Sequence, residues 1–158
     1  VRPDDSAPHV LAGIELQRGI ERAAFAAGGG AFRAPAQSVS AFLARKTDLS
    51  LPGTSYSNGA APCELDSFLP GWICSELRAG LAAFEKRMKG FTADAVLIGA
   101  ETRTSSPVRV TRGPDFQSVS HKGLYPAGEG AGYAGGIVSS AIDGIRCADA
   151  IISRFNER

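Results

Sequence analysis

One stretch near the C-terminus concentrates the residue types that hold an electron-rich ligand against the main chain. It runs Gly123-Leu-Tyr-Pro-Ala-Gly-Glu-Gly-Ala-Gly-Tyr-Ala-Gly-Gly-Ile137, and its one acid is Glu129. Glycines allow a ligand to approach backbone N–H groups closely. A helix predicted to begin near Gly136 adds unpaired N–H donors that carry partial positive charge. The stretch therefore predicts a site for a nucleotide or another electron-rich group.

Part of this stretch, Gly130-Ala-Gly-Tyr-Ala-Gly135, also fits the G-x-G-x-x-G fingerprint of a first βαβ dinucleotide-binding unit. That unit needs a second strand after the helix, ending in an acid about 20 residues on. The sequence instead predicts one helix from Gly136 to about Arg154, and Glu157, at about the right distance, lies at a helix end. The classical interpretation fails because the second strand has no room. The apolar positions predicted to form the buried face of this helix are Ile137, Ala141, Ile145, Ala148 and Ile152.

A different flavoprotein signature fits better. Gly123-Leu-Tyr-Pro-Ala-Gly-Glu129 resembles the second FAD motif of the large two-domain FAD-dependent oxidoreductases, in which a strand near the C-terminus ends in Gly followed by an acid. The resemblance implies that Glu129 binds the ribityl hydroxyls of the flavin. It also implies that the start of the next helix lies near the pyrimidine edge of the ring, where helix amides stabilise negative charge. The cofactor-binding residues that it implies are Gly128, Glu129, Gly130, Gly135, Gly136 and Ile137.

The resemblance extends to most of the chain. Together with the segments 28–37 and 101–109, the glycine-rich stretch is similar to the C-terminal third of bacterial FAD-dependent dehydrogenases. Proteins of that family begin with a strand and a G-x-G-x-x-G that binds the ADP half of FAD, and nothing upstream of residue 95 has that form. The chain also begins at Val1 and not at Met. We therefore expect a C-terminal piece of an FAD-dependent oxidoreductase that binds FAD weakly or not at all without its N-terminal half. NAD(P) is a further candidate cofactor of the parent enzyme.

A second polar cluster comprises Arg103, Thr104, Ser105 and Ser106. A bend with a guanidinium and three hydroxyls suits a flavin, a phosphate or a substrate carboxylate. The alternative is a solvated turn whose serines hydrogen-bond their own backbone. The family resemblance favours the first interpretation, with Arg103 as the cofactor- or substrate-facing residue. Tyr133 also has two interpretations, either covering a flavin ring or filling the turn against the core.

The order of predicted elements favours an α/β fold, or α+β for the chain in isolation. Helices are expected at 11–27, 35–44 and 72–89, a loop at 46–62, and strands at 95–100 and 107–112. A small hairpin arm at 118–121 and a strand at Gly123 precede the last helix. The family resemblance implies that residues 1–90 are the helical end of an inserted substrate or cap domain and that residues 91–158 complete a Rossmann-like FAD domain.

Composition excludes several classes of function. The formal net charge of +1 favours neither nucleic acid nor an anionic membrane as a partner. The sequence has no apolar run of about 20 residues and no signal-peptide pattern. We therefore expect a cytoplasmic protein. The cysteines Cys63, Cys74 and Cys147 and the two histidines form no metal or disulfide pattern, and Cys74 is expected in the core.

The sequence does not identify the reaction beyond this class. No residue is a convincing acid–base catalyst, so the catalytic residues and the small-molecule substrate are unassigned. Two alternatives from other classes remain: a stand-alone module that binds a phosphate or another anion, and a ligand-free interaction fragment. The interaction fragment would expose apolar surface that normally meets the missing N-terminal half, so a homo-oligomer is expected in that case.

Overall fold

The chain divides into two compact units. The computed structural model describes residues 9–48 and 50–156. Among these residues, one unit comprises 9–17 and 102–156, and the other comprises 18–48 and 50–101. The predicted cofactor-binding residues, including Arg103, all belong to the first unit.

The three long helices follow the apolar periodicity of the sequence. Helix α1 spans Ala12–Ala27, and the predicted helix at 11–27 is confirmed. Its end is closed by Gly29 and Gly30, whose positive φ angles let their amides donate to carbonyls of the last turn. The other two long helices, predicted at 72–89 and 136–154, are Gly71–Arg87 and Ile137–Asn156. No helix in the described part of the chain is long and apolar enough to cross a bilayer.

A small mixed sheet confirms the α/β fold class. Strand β1 (Ala34–Ser38) lies in the centre, parallel to β2 (Ala60–Pro62) and antiparallel to β3 (Val96–Ile98). The helix predicted at 35–44 is wrong in its first half, since those residues form β1, and helix α2 spans only Val39–Ala44. Ser38 separates the two elements because its side chain accepts the amide of Ala41 and caps α2. The predicted loop at 46–62 ends in β2.

The unit of residues 18–101 has its core between α2 and the helix Gly71–Arg87, which we label α3. Phe42, Leu65 and Cys74 are buried there, so the expectation that Cys74 is a core residue is confirmed. Arg78 of α3 seals this core by lying 4.1 Å from the Phe42 ring centre and pairing with Asp66. The apolar side chains of α3 are only partly covered: Phe84 and, just after the helix, Met88 remain about half exposed.

The strands predicted between residue 107 and the last helix do not form. Among the described residues, the segment 107–112 has a single isolated bridge, from Arg112 to Ser118, and the expected hairpin arm reduces to that bridge. No strand forms at Gly123. The hydrogen bonds of this segment explain the difference. The amides of Val110 and Arg112 donate to the Ala131 carbonyl and the Tyr133 hydroxyl, so these amides are not available to a partner strand.

The last helix, α4 (Ile137–Asn156), buries a different face from the one that its isoleucines predict. The residues that it buries are Asp143 and Cys147. The predicted buried face is wrong: Ile137, Ile145 and Ile152 are 93%, 61% and 57% exposed, and Ala141 and Ala148 are exposed as well. Within its unit, α4 instead turns Asp143 inward, where its carboxylate pairs with the buried Arg112 guanidinium.

Candidate functional site

The residues from Gly128 to Gly136, which we call the glycine turn, fold back on themselves. The amide of Gly132 donates to the Glu129 carbonyl at 2.8 Å, and the amide of Tyr133 donates to the Gly128 carbonyl at 3.1 Å. Gly128 and Gly132 have φ angles of +67° and +81°, a conformation that favours glycine. The turn therefore has one defined backbone path.

A second segment, residues 106–112, packs against the glycine turn. The side chain of Arg109 donates through Nε to the Gly132 carbonyl at 3.0 Å, and Val110 donates its amide to the Ala131 carbonyl at 3.1 Å. A Cβ atom at Gly132 would collide with the Val108 carbonyl oxygen. Gly132 is therefore required for close packing as well as for its backbone conformation.

A buried ion pair anchors the glycine turn to α4. The guanidinium of Arg112 donates to both oxygens of Asp143, at 2.5 and 2.9 Å, and to the Pro126 carbonyl at 2.6 Å. The same carboxylate accepts the amide of Gly128 at 2.8 Å. The Arg112 hydrogen bond and then the Gly128 amide lower the pKa of Asp143 from 3.8 to about 2, against an opposing effect of burial. The pair stays ionised and fixes the first residue of the turn relative to the helix.

Tyr133 belongs to this support and fills the turn. Its ring centre lies 3.7 Å from the guanidinium carbon of Arg112 and 5.0 Å from that of Arg109. Its hydroxyl donates to the Val110 carbonyl and accepts the amide of Arg112. Of the two interpretations of Tyr133, the geometry favours packing against the protein over covering a ligand.

Glu129 stands apart from these interactions. It is half-buried, and its carboxylate makes no hydrogen bond or ion pair with any residue that the structure describes. The amides of Glu129 and Gly130 likewise donate to no backbone acceptor within the described ranges. The tip of the glycine turn thus combines a carboxylate acceptor with two available amide donors.

The start of α4 is open to approach. Apart from their own chain neighbours, Gly130 and Gly135 have no atom of the described chain within 4 Å of the position a Cβ would take. Gly135, Gly136 and Ile137 are all exposed. The amide of Gly136 donates to the Ser139 hydroxyl, while the first amides of any α-helix lack an intrahelical acceptor. A ligand can reach these amides directly and meet the positive end of the helix dipole.

The bend that carries Arg103 lies next to the glycine turn through Ser106. The Ser106 hydroxyl contacts the carbonyl oxygens of Val108 and Gly130, at 2.9 and 3.3 Å. Arg103 itself is exposed. Ser106 therefore connects the 103–106 cluster to the glycine turn. Its hydrogen bonds to backbone carbonyls are those of a turn whose serines bond the main chain. Arg103 lies at the surface.

Sequence reasoning missed the pair Arg112 and Asp143. The available signal was the spacing of Ser140, Asp143 and Cys147 on the predicted last helix, which marks a second face opposite its isoleucines. An acid in the middle of an apolar helix calls for a buried partner. The described residues hold no group of three His, Cys, Asp or Glu side chains suited to a metal ion.

Comparison with known proteins defines the class. A family model described as "FAD-dependent protein, C-terminal domain-like" matches residues 1–104, and the chain belongs to that family. An uncharacterized protein of Clostridium beijerinckii is 44% identical over 162 residues, which cover 99% of this chain. The chain spans about 30% of the length of that relative. The likeness to the C-terminal part of an FAD-dependent protein is thereby confirmed, and the glycine turn lies beyond the residues that the family model matches.

Proposed function

We propose that this chain supplies the part of an FAD site that binds the ribityl chain and the pyrimidine edge of the flavin, within an FAD-dependent oxidoreductase of the dehydrogenase type. The observation that carries the proposal is the carboxylate of Glu129, half-buried at the tip of the glycine turn without a protein partner among the described residues. Membership in an FAD-dependent family supports the choice of cofactor.

The residues present fit this group chemically. A carboxylate accepts hydrogen bonds from sugar-alcohol hydroxyls, which is the role proposed for Glu129. Gly128, Gly130 and Gly135 have no side chain, so a ligand can contact the backbone closely. Gly136 and Ile137 begin the helix whose amides favour negative charge at the flavin ring. Arg103, exposed beside this turn, would approach a phosphate or substrate carboxylate.

The buried network below the site has a supporting role in this proposal. Arg112 and Asp143 neutralise each other and hold Gly128 against α4. Glu129 follows Gly128 directly, so its position depends on that anchor. Rigid support of this kind lowers the entropy cost of binding. When bound, FAD supplies the hydride or electron transfer; the chain orients it and sets the local electrostatics.

The remaining parts of the enzyme enter the proposal as partners. Residues 1–90 are proposed as the end of a substrate or cap domain and residues 91–158 as the completion of the FAD domain. We propose that the N-terminal half, which would bind the ADP part of FAD, corresponds to part of the length that the Clostridium beijerinckii relative has outside the aligned residues. The proposal does not extend to NAD(P), because the family description names FAD alone and the G-x-G-x-x-G pattern at 130–135 is followed, within the described residues, by a helix and no second strand.

An FAD titration tests the proposal. Residues 1–158 and a polypeptide extended by the upstream region are titrated with FAD, and flavin fluorescence is followed. We expect saturable binding by the extended polypeptide and weak or no binding by residues 1–158. Saturable binding by both would show that the glycine turn suffices without the ADP-binding half.

The titration also separates the main competing function. If neither form binds FAD, the proposal is wrong. Inorganic phosphate is then titrated by calorimetry, because the open amides at the start of α4 also suit an anion. Phosphate binding that is lost in Gly135→Pro but kept in Ser153→Ala would identify an anion-binding module instead.

A further inference from the structure

A cleft of about 500 Å³ lies beside the C-terminal end of α4, and the residues of the proposed flavin site do not line it. The side chains that line the cleft are those of Gln117, Lys122, Tyr125, Ile151, Arg154 and Phe155. Arg154 follows Ile137, the first residue of α4, by 17 positions, which corresponds to about 25 Å along the helix. The cleft is therefore remote from the glycine-turn end of α4.

One wall of the cleft comes from the face of α4 that packs against the protein. Ile151 and Arg154 follow Cys147 at intervals of four and three residues, so all three lie on one side of the helix. Cys147 is 4% exposed, and Ile151 is half-buried. The packing of the helix thus fixes this wall, and Ile151 gives it an aliphatic surface.

The opposite wall is the loop of residues 117–125, which hydrogen bonds hold in place. The amide of Gly123 donates to the side-chain oxygen of Gln117 at 2.6 Å. Tyr125 connects the loop to α4, because its hydroxyl accepts a hydrogen bond from Arg154 at 3.0 Å. The two walls are therefore joined before any ligand arrives, which lowers the entropy cost of binding.

Two cations line this cleft without a carboxylate partner. Within the described ranges, the Lys122 ammonium makes no hydrogen bond or ion pair, and the Arg154 guanidinium donates only to the Tyr125 hydroxyl. Both cations are exposed, whereas Tyr125 and Ile151 are half-buried. The cleft is thus apolar within and positive at its opening to solvent.

We propose that this cleft binds a small carboxylic acid with an apolar body. The carboxylate lies between Lys122 and Arg154, whose cationic groups form charge-assisted hydrogen bonds with carboxylate oxygens. The hydrocarbon part lies against Ile151 and the Tyr125 ring. Apolar walls with a few convergent polar groups are typical of sites for small organic molecules. The inference uses neither Glu129 nor FAD, so it goes beyond the proposed function and is tested separately from it.

Calorimetric titration of the extended polypeptide with octanoate tests this inference. Lys122→Gln and Arg154→Gln each remove one cation from the cleft, and Arg146→Gln removes an exposed cation elsewhere on α4. We expect saturable binding that each cleft variant weakens about tenfold or more, since a charge-assisted hydrogen bond is lost. Arg146→Gln should bind octanoate as the original chain does. Melting temperatures verify that the variants fold, and Lys122, which has no described partner, can be replaced without loss of a protein contact.

Three results would overturn the inference. A lack of saturable octanoate binding would show that the cleft is not a ligand site. Equal affinity for octanamide, the neutral analogue, would show that the two cations do not select the ligand. Equal affinities of the three variants for octanoate would place its binding elsewhere. Octanoate binding that depends on Lys122 and Arg154 in a polypeptide that does not retain FAD would support the cleft and reject only the flavin proposal.

Discussion

The carboxylate of Asp143 accepts the amide hydrogen of Gly128 at 2.8 Å, across 15 positions of sequence. Asp143 lies in the second turn of α4, and Gly128 is the first residue of the glycine turn. Because Arg112 holds both oxygens of the same carboxylate, the turn, the segment 106–112 and the helix are fixed together. Because Glu129 follows Gly128, its position depends on Asp143, which lies on α4 and not in the turn.

Replacing Asp143 with asparagine should destabilise the chain by about 3 kcal/mol. The amide oxygen of asparagine can still accept from Gly128, but the Arg112 guanidinium, whose side chain is 9% exposed, loses its counter-charge. Urea denaturation followed by circular dichroism measures the change in the free energy of unfolding. Asp149→Asn is the matched control because Asp149 is exposed on the same helix, and it should change stability by less than about 0.5 kcal/mol. Equal effects of the two variants would contradict the role of the pair.

The same pair predicts a loss of stability in acid. The pKa of Asp143 in the folded chain, about 2, lies below its ordinary value of 3.8. The unfolded chain therefore takes up the proton first, and the stabilisation, complete above about pH 5, falls away as the pH drops toward 2. Thermal unfolding between pH 2 and 6 measures it. Asp143→Asn should remove this part of the pH dependence. If its melting temperature varies with pH in this range as that of the original chain does, Asp143 is not the titrating group.

Two glycines of the turn should respond differently to alanine. At Gly132, a Cβ would collide with the Val108 carbonyl at a φ of +81°, so Gly132→Ala should cost about 2 kcal/mol or more. At Gly130, the added Cβ meets open space, and stability should change by less than about 0.5 kcal/mol. Melting temperatures of the two variants provide the comparison. Similar melting temperatures would mean that the turn does not pack against residues 106–112 as described.

Removing the Tyr133 hydroxyl should destabilise the chain by about 1 kcal/mol. Tyr133→Phe leaves the Arg112 amide without its acceptor while keeping the ring beside both arginines. Urea denaturation measures the loss. Tyr56→Phe serves as a control, because Tyr56 is exposed and its hydroxyl makes no hydrogen bond to a described residue. An unchanged stability of Tyr133→Phe would indicate that its hydroxyl faces solvent.

The long helices were predictable because apolar periodicity and glycine stops act locally. The predicted bounds of α1, α3 and α4 agree with the structure within two residues at each end. Local patterns could not identify the strand at Ala34–Ser38, whose hydrogen bonds go to segments more than 20 residues away. Pro35 near the first turn of a predicted helix was the misleading signal, since its fixed φ also fits an extended chain.

The candidate site was predictable in its glycines and not in its support. The pattern of Gly128, Glu129 and Gly130 is visible in the sequence, whereas the contact between Arg112 and Asp143 joins residues 31 positions apart. The face of α4 was assigned wrongly because hydrophobicity alone favoured its isoleucines. The buried side is instead determined by the ion pair, a tertiary interaction that periodicity does not record.

FAD retention by Glu129→Ala in the extended polypeptide shows whether this carboxylate binds the flavin. The variant and Asp149→Ala, an exposed control on α4, are purified in parallel, and bound flavin is measured by absorbance after gel filtration and by titration. We predict that Glu129→Ala weakens FAD binding about tenfold or more, since a charge-assisted hydrogen bond is lost, with an unchanged melting temperature of the flavin-free protein. Asp149→Ala should retain FAD fully. Equal retention by both variants would show that Glu129 does not bind the flavin.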